Sequence, residues 1–519
     1  MTAIHKIHDD LLWHIFLLNA NLNDIYTLKA VYQPGQEPIR HRYSPLTITR
    51  RTSQVCTRWR HLILRSSSIW GRLIHLDCLD QVTDQWRMEV LMRSGDAPLE
   101  IKGDTVGYIM EDFFFFLLAT EWERIRWLDV RMSNDYEFED DAWGPLSHPA
   151  PALEYFNLQF YTVGGKPLHL DTHLFGGDAP SLRAFHSTSI HFSPFSPWIS
   201  QLRHLTLLAP ASAIQMLASI SQMTHLQSLR IVGCQKTDSE NRPNPPRRFS
   251  LPCLKHLVLE GSFTSVVLIM DSIASVSEQC SLSLKLVGLT NVNVPDSKEV
   301  TYYKHIFERY SRSYSQDAGP ESFCLHMDSH HFLFYNNRNT TSELIYRADV
   351  QASKHFHIVP FMQLLSRTVM TYPVKGITHL ELGLPPYNRP FLKDISHVLL
   401  DFVSLKTLLI KDMKTLLTIR NIQRESHLFP SLSIIQVVAQ DKLDAALIQD
   451  YLNLRKDMGA PIKCLDLTFT SSQYFGNLTI LEHFAGLQLL WCNEGNPDEV
   501  TRYTCGNPRS RILSFGRVS

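Results

Sequence analysis

The sequence lacks the short motifs through which many enzymes bind phosphate or build a nucleophile. It contains no Gly-x-x-x-x-Gly-Lys-Ser/Thr, no Gly-x-Gly-x-x-Gly, no Gly-x-Ser-x-Gly and no His-Glu-x-x-His. It also lacks a charge excess. Fifty Lys and Arg stand against 51 Asp and Glu, a net charge of -1, so no global field gathers nucleic acid or an anionic membrane. The nine cysteines are scattered without a Cys-x-x-Cys pair, which argues against a disulfide framework and fits a reducing compartment, cytoplasmic or nuclear. No long apolar run is present: the densest, Phe113 to Ala119, is far too short to span a bilayer. Asp9 and Asp10 stand where a signal peptide would be apolar. The sequons at Asn339 and Asn477 therefore read as chance matches.

The remaining candidates for chemistry are weak. His330-His331 and His355-x-His357 have no cysteine or carboxylate at ligand spacing, so they read as solvated or hydrogen-bonded strand histidines, and no metal or cofactor is expected. The acidic run Asp135 to Asp141, with Tyr136 and Phe138 inside it, reads as a solvated loop, with docking of a basic peptide as the functional alternative. Arg242, Arg247 and Arg248 make too small a basic cluster for nucleic acid. Phe113 to Phe116 place aromatics on several faces of one segment, so at least one needs shielding in a core.

What the chain does have is a repeat. The pattern apolar-x-x-apolar-x-apolar occurs at Ile125/Leu128/Val130, Leu153/Phe156/Leu158, Leu202/Leu205/Leu207, Leu226/Leu229/Ile231 and Leu254/Leu257/Leu259. It returns at Ile377/Leu380/Leu382, Leu405/Leu408/Ile410, Leu432/Ile435/Val437 and Ile462/Leu465/Leu467, with Leu182/Phe185 degraded and Leu487/Leu490 a last copy. Starts lie about 20 to 30 residues apart, the leucine-rich-repeat range of one strand and one helix or loop per unit. The last two apolar positions point to one side of a short strand, and stacked units bury a continuous core. Helical spacing lies between strands at Ala211 to Met223, Ser265 to Val276, Phe391 to Phe402 and Leu443 to Met458. Between Leu259 and Ile377 the pattern fails. Ser281 to Leu286 and Cys324 to Met327 suggest strands, and either hidden repeats or an inserted subdomain would account for the gap.

The N-terminus carries a different signal. Ile7, Leu11 and Ile15, widened by Leu12 and Phe16, form the stripe of a helix over Asp9 to Leu18. Ser44 and Pro45 suit the cap and first turn of a second helix running to about Leu64. Val55, Cys56, Trp59 and Ile63 share one face of that helix, and a polar turn brings Ile69 and Trp70 back to it. Leu73 to Leu79 alternates as a strand, Trp86 to Gly95 reads as a helix stopped by glycine, and Pro98 to Ile101 starts a strand.

The string Val55-Cys56-x-x-Trp59-Arg60, followed by Ile69-Trp70, resembles the second half of an F-box, and Ile7 to Phe16 resembles its first half. His8 replaces the usual proline, and an insert at about 19–43 separates the halves. Arg93-Ser-Gly-Asp-Ala-Pro-Leu99 is similar to a segment that follows the F-box in large fungal F-box families. The expected fold class is thus α/β: a short helical F-box-like module over 1–76, then an irregular leucine-rich-repeat solenoid over 77–519, disturbed at about 287–376. The resemblance implies a substrate receptor of a cullin-RING ubiquitin ligase. It would bind the ligase adaptor protein, and through it a cullin, by Ile7, Leu11, Leu12, Ile15, Phe16, Val55, Cys56, Trp59 and Trp70. The repeats would hold a target protein, and catalysis would belong to other subunits. No nucleic acid or membrane partner is expected. The alternatives are a repeat scaffold that works without a ligase, with the N-terminal helices serving as its cap, and an enzyme, for which no convergent polar site is visible.

Overall fold

The computed structural model describes residues 6–21, 44–81, 83–105, 108–133, 140–161, 174–187, 196–208, 213–234, 248–276, 280–289, 305–306, 310, 322–327, 331–337, 345–352, 374–384, 396–439, 441–493, 496–507, 509–510 and 512–515. The chain is mixed α/β with parallel sheet. It divides into two compact units, Met1–Arg230 and Ile231–Ser519.

The first unit begins with helices α1 (Asp9–Ala20), α2 (Pro45–Thr52), α3 (Thr57–Leu64) and α4 (Ser67–Trp70). Ser44 caps α2, its hydroxyl accepting from the Thr47 N–H at 3.1 Å. The expected single helix from Pro45 to Leu64 is broken. The N–H groups of Gln54 and Val55 bond three residues back, tightening the end of α2, and Cys56 is extended (φ -156°, ψ 166°) as the N-cap of α3. Strand β1 is only Ile74–His75. The expected strand gives way there to a short helix, α5 (Leu76–Leu79), followed by α6 (Gln85–Ser94), which ends at Gly95 with φ 46°. Then come β2 (Leu99–Thr105), α7 (Tyr108–Glu121), β3 (Ile125–Ser133), β4 (Tyr155–Tyr161), β5 (Ala184–Ser187) and β6 (His204–Leu208), with α8 (Ala213–Ile220) before β7 (Ser228–Cys234), within which the division falls.

Strands β1 to β6 are parallel neighbours in chain order. One row of side chains, Ile74, Ile101, Leu128, Phe156, Phe185 and Leu205, lies abreast across them, and every member is buried. The row starts two strands before the first copy of the sequence pattern, because Gly103 replaces the last apolar residue on β2. Phe156 and Phe185 stack with centroids 5.4 Å apart, Phe175 packs edge-on against Phe156 and Trp198, and Trp198 tilts against Phe185. Most repeat strands are introduced the same way. The N–H of the leading residue, such as Leu153, Leu182, Leu202 or Leu226, bonds the carbonyl three residues earlier, at Ala150, Ala179, Ile199 or Met223. Those earlier residues are buried too, so each tight turn is fixed by its own apolar anchor.

The second unit contains β8 (Phe249–Leu251), β9 (His256–Gly261), α9 (Phe263–Ser272), β10 (Ile273–Val276), β11 (Ser281–Leu289), β12 (Ser322–Met327), β13 (His331–Asn337), β14 (Ile345–Ala352), β15 (His379–Gly383) and β16 (Thr407–Ile410). After these come α10 (Met413–Gln423), β17 (Ile434–Val437), α11 (Ala445–Asp457), β18 (Cys464–Asp466), β19 (Gln488–Asn493) and β20 (Asn496–Thr504). The helix expected over Ser265 to Val276 ends at Ser272, and its tail is β10, which pairs in parallel with β8. Of the helix expected over Phe391 to Phe402, residues 396–400 are helical and 391–395 lie outside the described residues.

The disturbed stretch is an antiparallel meander laid into the same sheet. The spatial order is β9, β11, β14, β13, β12, β15. Only β13 opposes its neighbours, so β14 runs parallel to β11, and β12 parallel to β15. Three strands are added, yet the parallel run resumes in its original direction. From β15 to β19 each strand pairs in parallel with the next, and Phe323, Leu380, Leu408, Ile435, Leu465 and Leu489 lie abreast and buried. The last copy is one residue shorter than expected: Leu489, not Leu490, stands beside Leu465. Val300 to Gly319 lies almost wholly outside the described residues.

Candidate functional site

Helix α1 has two apolar faces. Leu12, Phe16 and Ala20, four residues apart, are buried against the following helices. Leu11, Ile15 and Leu18 point away, 58%, 45% and 68% exposed, and Val55 is 63% exposed just before α3. Ile7 is half-buried. A stripe of that kind on a short helix is left for something to cover. The start of α1 is fixed by His8, whose Nδ1 accepts from the Asp10 N–H at 3.4 Å. Arg58 of α3 reaches back, its Nε donating to Asp9 Oδ1 at 2.7 Å and its Nη2 to the Ile7 carbonyl at 2.6 Å.

The expected surface residues therefore separate. Leu11, Ile15 and Val55 are exposed, Ile7 and Cys56 are intermediate, and Leu12 and Phe16 are core. Val55 and Cys56 precede α3 rather than sharing its face. Trp59 is half-buried and meets Phe16 edge-on at 5.2 Å. Trp70 is buried. Its indole donates to the Ile63 carbonyl at 2.8 Å, packs edge-on against Trp86, and carries the Arg93 guanidinium 4.9 Å from its ring centroid. Gly71 follows, and a Cβ there would lie 2.5 Å from the Pro98 carbonyl oxygen. Only glycine lets the turn come this close, which places the Glu100 N–H 2.8 Å from the Gly71 carbonyl.

The face of each sheet opposite the leucine rows is polar. In the first unit Glu100 accepts from Lys102 at 2.8 Å and pairs with Arg126 and Arg72. Burial opposes its ionisation, but Lys102, then Arg126 and Arg72, outweigh that and hold its pKa below the usual carboxylate range. Trp127 and Tyr155 stack at 3.8 Å, with His186 tilted 5.2 Å beyond. Asn157 donates to Asp129 at 2.8 Å; burial nevertheless raises the Asp129 pKa. Burial, with His204 and Arg230 adding to it, lowers His186 to about 4. In the second unit a cavity of about 190 Å³ opens among Cys324, Tyr335, Glu381, Thr407 and Gln436. Tyr335 donates to Glu381 at 3.2 Å, Lys411 pairs with the same carboxylate, and Gln436 donates to Asp466 at 2.9 Å. Burial pushes the Cys324 thiol up to about 12, so it is protonated at neutral pH.

None of these polar-face residues was singled out from sequence, although a signal existed. Several of them occupy the x positions that precede apolar residues within the repeat strand, as Trp127 and Asp129 do before Leu128 and Val130. Of the histidine pairs, His331 bonds Asp349 at 2.9 Å, whereas His330, His355 and His357 lie outside the described residues. Most of the acidic run, 135–139, also lies outside them. Among the described residues no group of three His, Cys, Asp or Glu could hold a metal, and no helix is long and apolar enough to cross a membrane. Of the Phe113 to Phe116 run, Phe113 and Phe114 are buried and Phe116 is exposed.

A pH effect follows from His75, buried in β1. Burial, then Lys102, lowers its pKa from 6.5 to about 4. The unfolded chain thus binds the proton more readily. His75 contributes stability in full above about pH 6.5, and that contribution is lost as pH falls toward 4. At about 1.4 kcal/mol per unit, it reaches at most about 3 kcal/mol. Urea unfolding at pH 7.5 and 4.5 should show a smaller acid loss in His75→Asn than in the parent; equal losses would remove His75 as the cause.

No protein-family model matches the chain, and no curated protein matches its sequence.

Proposed function

We propose that the chain is the substrate-recognition subunit of a cullin-RING ubiquitin ligase, with an N-terminal F-box-like module that binds the ligase adaptor and a leucine-rich-repeat solenoid that holds a target protein. The observation that carries the reading is the exposed apolar stripe Leu11, Ile15 and Leu18, with Val55 in the turn before α3, on a module whose other face is already filled by Leu12 and Phe16. Catalysis then belongs to other subunits, and this chain acts by holding target and ubiquitin-loaded enzyme on one scaffold. The polar faces of the parallel strands are the surfaces offered to the target.

The test is adaptor and cullin pull-down with Leu11→Asp/Ile15→Asp. Both side chains are exposed, so the fold should survive while adaptor capture falls at least about tenfold. Leu12 belongs to the core, and replacing it would confound binding with unfolding. Undiminished capture, or no capture by the parent chain, would favour the second reading: a repeat scaffold with these helices as its cap. That reading has its own support in the way Trp70, Gly71 and β1 tie the helices to β2.

A further inference from the structure

Helices α6 and α7 do not close on each other; a groove of about 420 Å³ lies between them, lined by Asp84, Arg87, Met88, Ile109, Asp112, Phe113 and Phe116. On α7, residues 109, 112, 113 and 116 recur at i, i+3, i+4 and i+7, one continuous helical stripe. Such a stripe ordinarily meets a packed neighbour, yet Phe116 is 40% exposed. Across from it Met88 is 43% and Met92 69% exposed, and Tyr108 at the start of α7 is exposed as well. These four, together with the four on α1 and before α3, make up more than half of the exposed large apolar side chains among the described residues.

The exposed charge lining the groove is acidic, Asp84 and Asp112. Arg87 is buried at its floor and already engaged: its Nη1 donates to the Gln81 carbonyl at 2.9 Å, its guanidinium pairs with Asp84, and it stands 5.9 Å from the Phe113 ring centroid. Asp84 remains mostly exposed despite that pair, and no cation among the described residues pairs with Asp112. The groove therefore presents apolar walls, a methionine, Met88, whose unbranched side chain adapts to varied shapes, and an acidic rim.

We propose that the α6–α7 groove docks a basic amphipathic peptide segment of a partner protein. Its bulky apolar side chains seat on Met88, Ile109, Phe113 and Phe116, and its lysines or arginines meet Asp84 and Asp112. The mode is a helix laid in a groove, with acid–base pairs at the rim fixing its direction. A second copy of this surface would set acid against acid, as would the chain's own run from Asp135 to Asp141. The inference stands apart from adaptor binding, since no residue of α1 to α4 lines the groove.

The experiment uses the full chain and two fluorescent peptides, an amphipathic helix of leucine and lysine and its twin with glutamate in place of lysine. Anisotropy should show the lysine peptide bound and the glutamate peptide at least about tenfold weaker. Asp112→Lys should reverse that preference, and Phe116→Ser or Met88→Ser should weaken the lysine peptide. All three side chains are exposed, so circular dichroism and thermal unfolding should match the parent. Leu11→Asp/Ile15→Asp should bind the lysine peptide normally; if it does not, the peptide sits on the N-terminal stripe and the groove is not the site. Equal binding of the twins, or no effect of any groove substitution, overturns the proposal. So does a concentration-dependent dimer that Phe116→Ser dissolves, which would make the occupant a second copy.

Discussion

Trp70→Ala should unfold the N-terminal helices and carry β1 and β2 with them. Truncating a buried tryptophan costs about 3 to 5 kcal/mol. This indole also holds the Ile63 carbonyl, the edge of Trp86 and the Arg93 guanidinium. Sequence alone points to Trp59 as the keystone, since it lies mid-helix, but Trp59 is half-buried and its replacement should cost less. Hydrogen exchange should show protection lost from α1 through Leu99–Thr105, because Gly71 and Ile74 bond directly to that strand. The second unit should keep its protection. Adaptor capture, if the chain makes it, should disappear as a consequence of unfolding, whereas Leu11→Asp/Ile15→Asp should remove capture with protection intact. Loss confined to residues 9–70 would mean that the contacts with β2 carry little weight.

The parts of the fold legible in the sequence are those that repeat a short physical requirement. A leucine two residues from another must share its side of a strand, so the buried rows through Leu128 and Leu408 follow from spacing. The meander of β12, β13 and β14 was not legible, because its spatial order reverses its chain order and no local pattern encodes that. The spacing of Val55 to Trp59 and Ile63 suits a helix. The tight turns at Gln54 and Val55 and the extended Cys56 override that spacing. Of the candidate surface, the apolar stripe was visible, but which leucine faces inward was not: Leu11 and Leu12 are adjacent and chemically alike, and only the packing of α1 on its neighbours tells them apart. The polar faces are not legible in the same way, because the x positions of the repeat share no common residue type.

Arg455→Met should destabilise the second unit by about 4 kcal/mol, since it deletes charge-assisted hydrogen bonds at a site that water cannot reach. Arg455 lies on α11 with its side chain almost wholly buried and no carboxylate partner in its hydrogen bonds. Its guanidinium instead gathers backbone carbonyls: Leu428 at 2.9 Å, Phe429 at 3.1 Å and Leu432 at 3.2 Å, while its Nε reaches Ala460 at 3.1 Å. The first three belong to the turn that launches β17, where Phe429 has φ 51°, a conformation few side chains adopt without support. The planar fork spans these acceptors at once; a lysine, with one nitrogen, could not. Methionine keeps the apolar stem and removes the donors, so its effect isolates the hydrogen bonds from the packing. Lysine should recover only part of the loss. Denaturant unfolding gives the magnitude, and hydrogen exchange gives the place: protection should fall first at 428–437 and 460–466, on the strands that the turn and the helix end deliver. A methionine variant as stable as the parent would mean that those carbonyls find other donors once the guanidinium is gone, and that the turn at Phe429 is held by the packing of its buried ring alone.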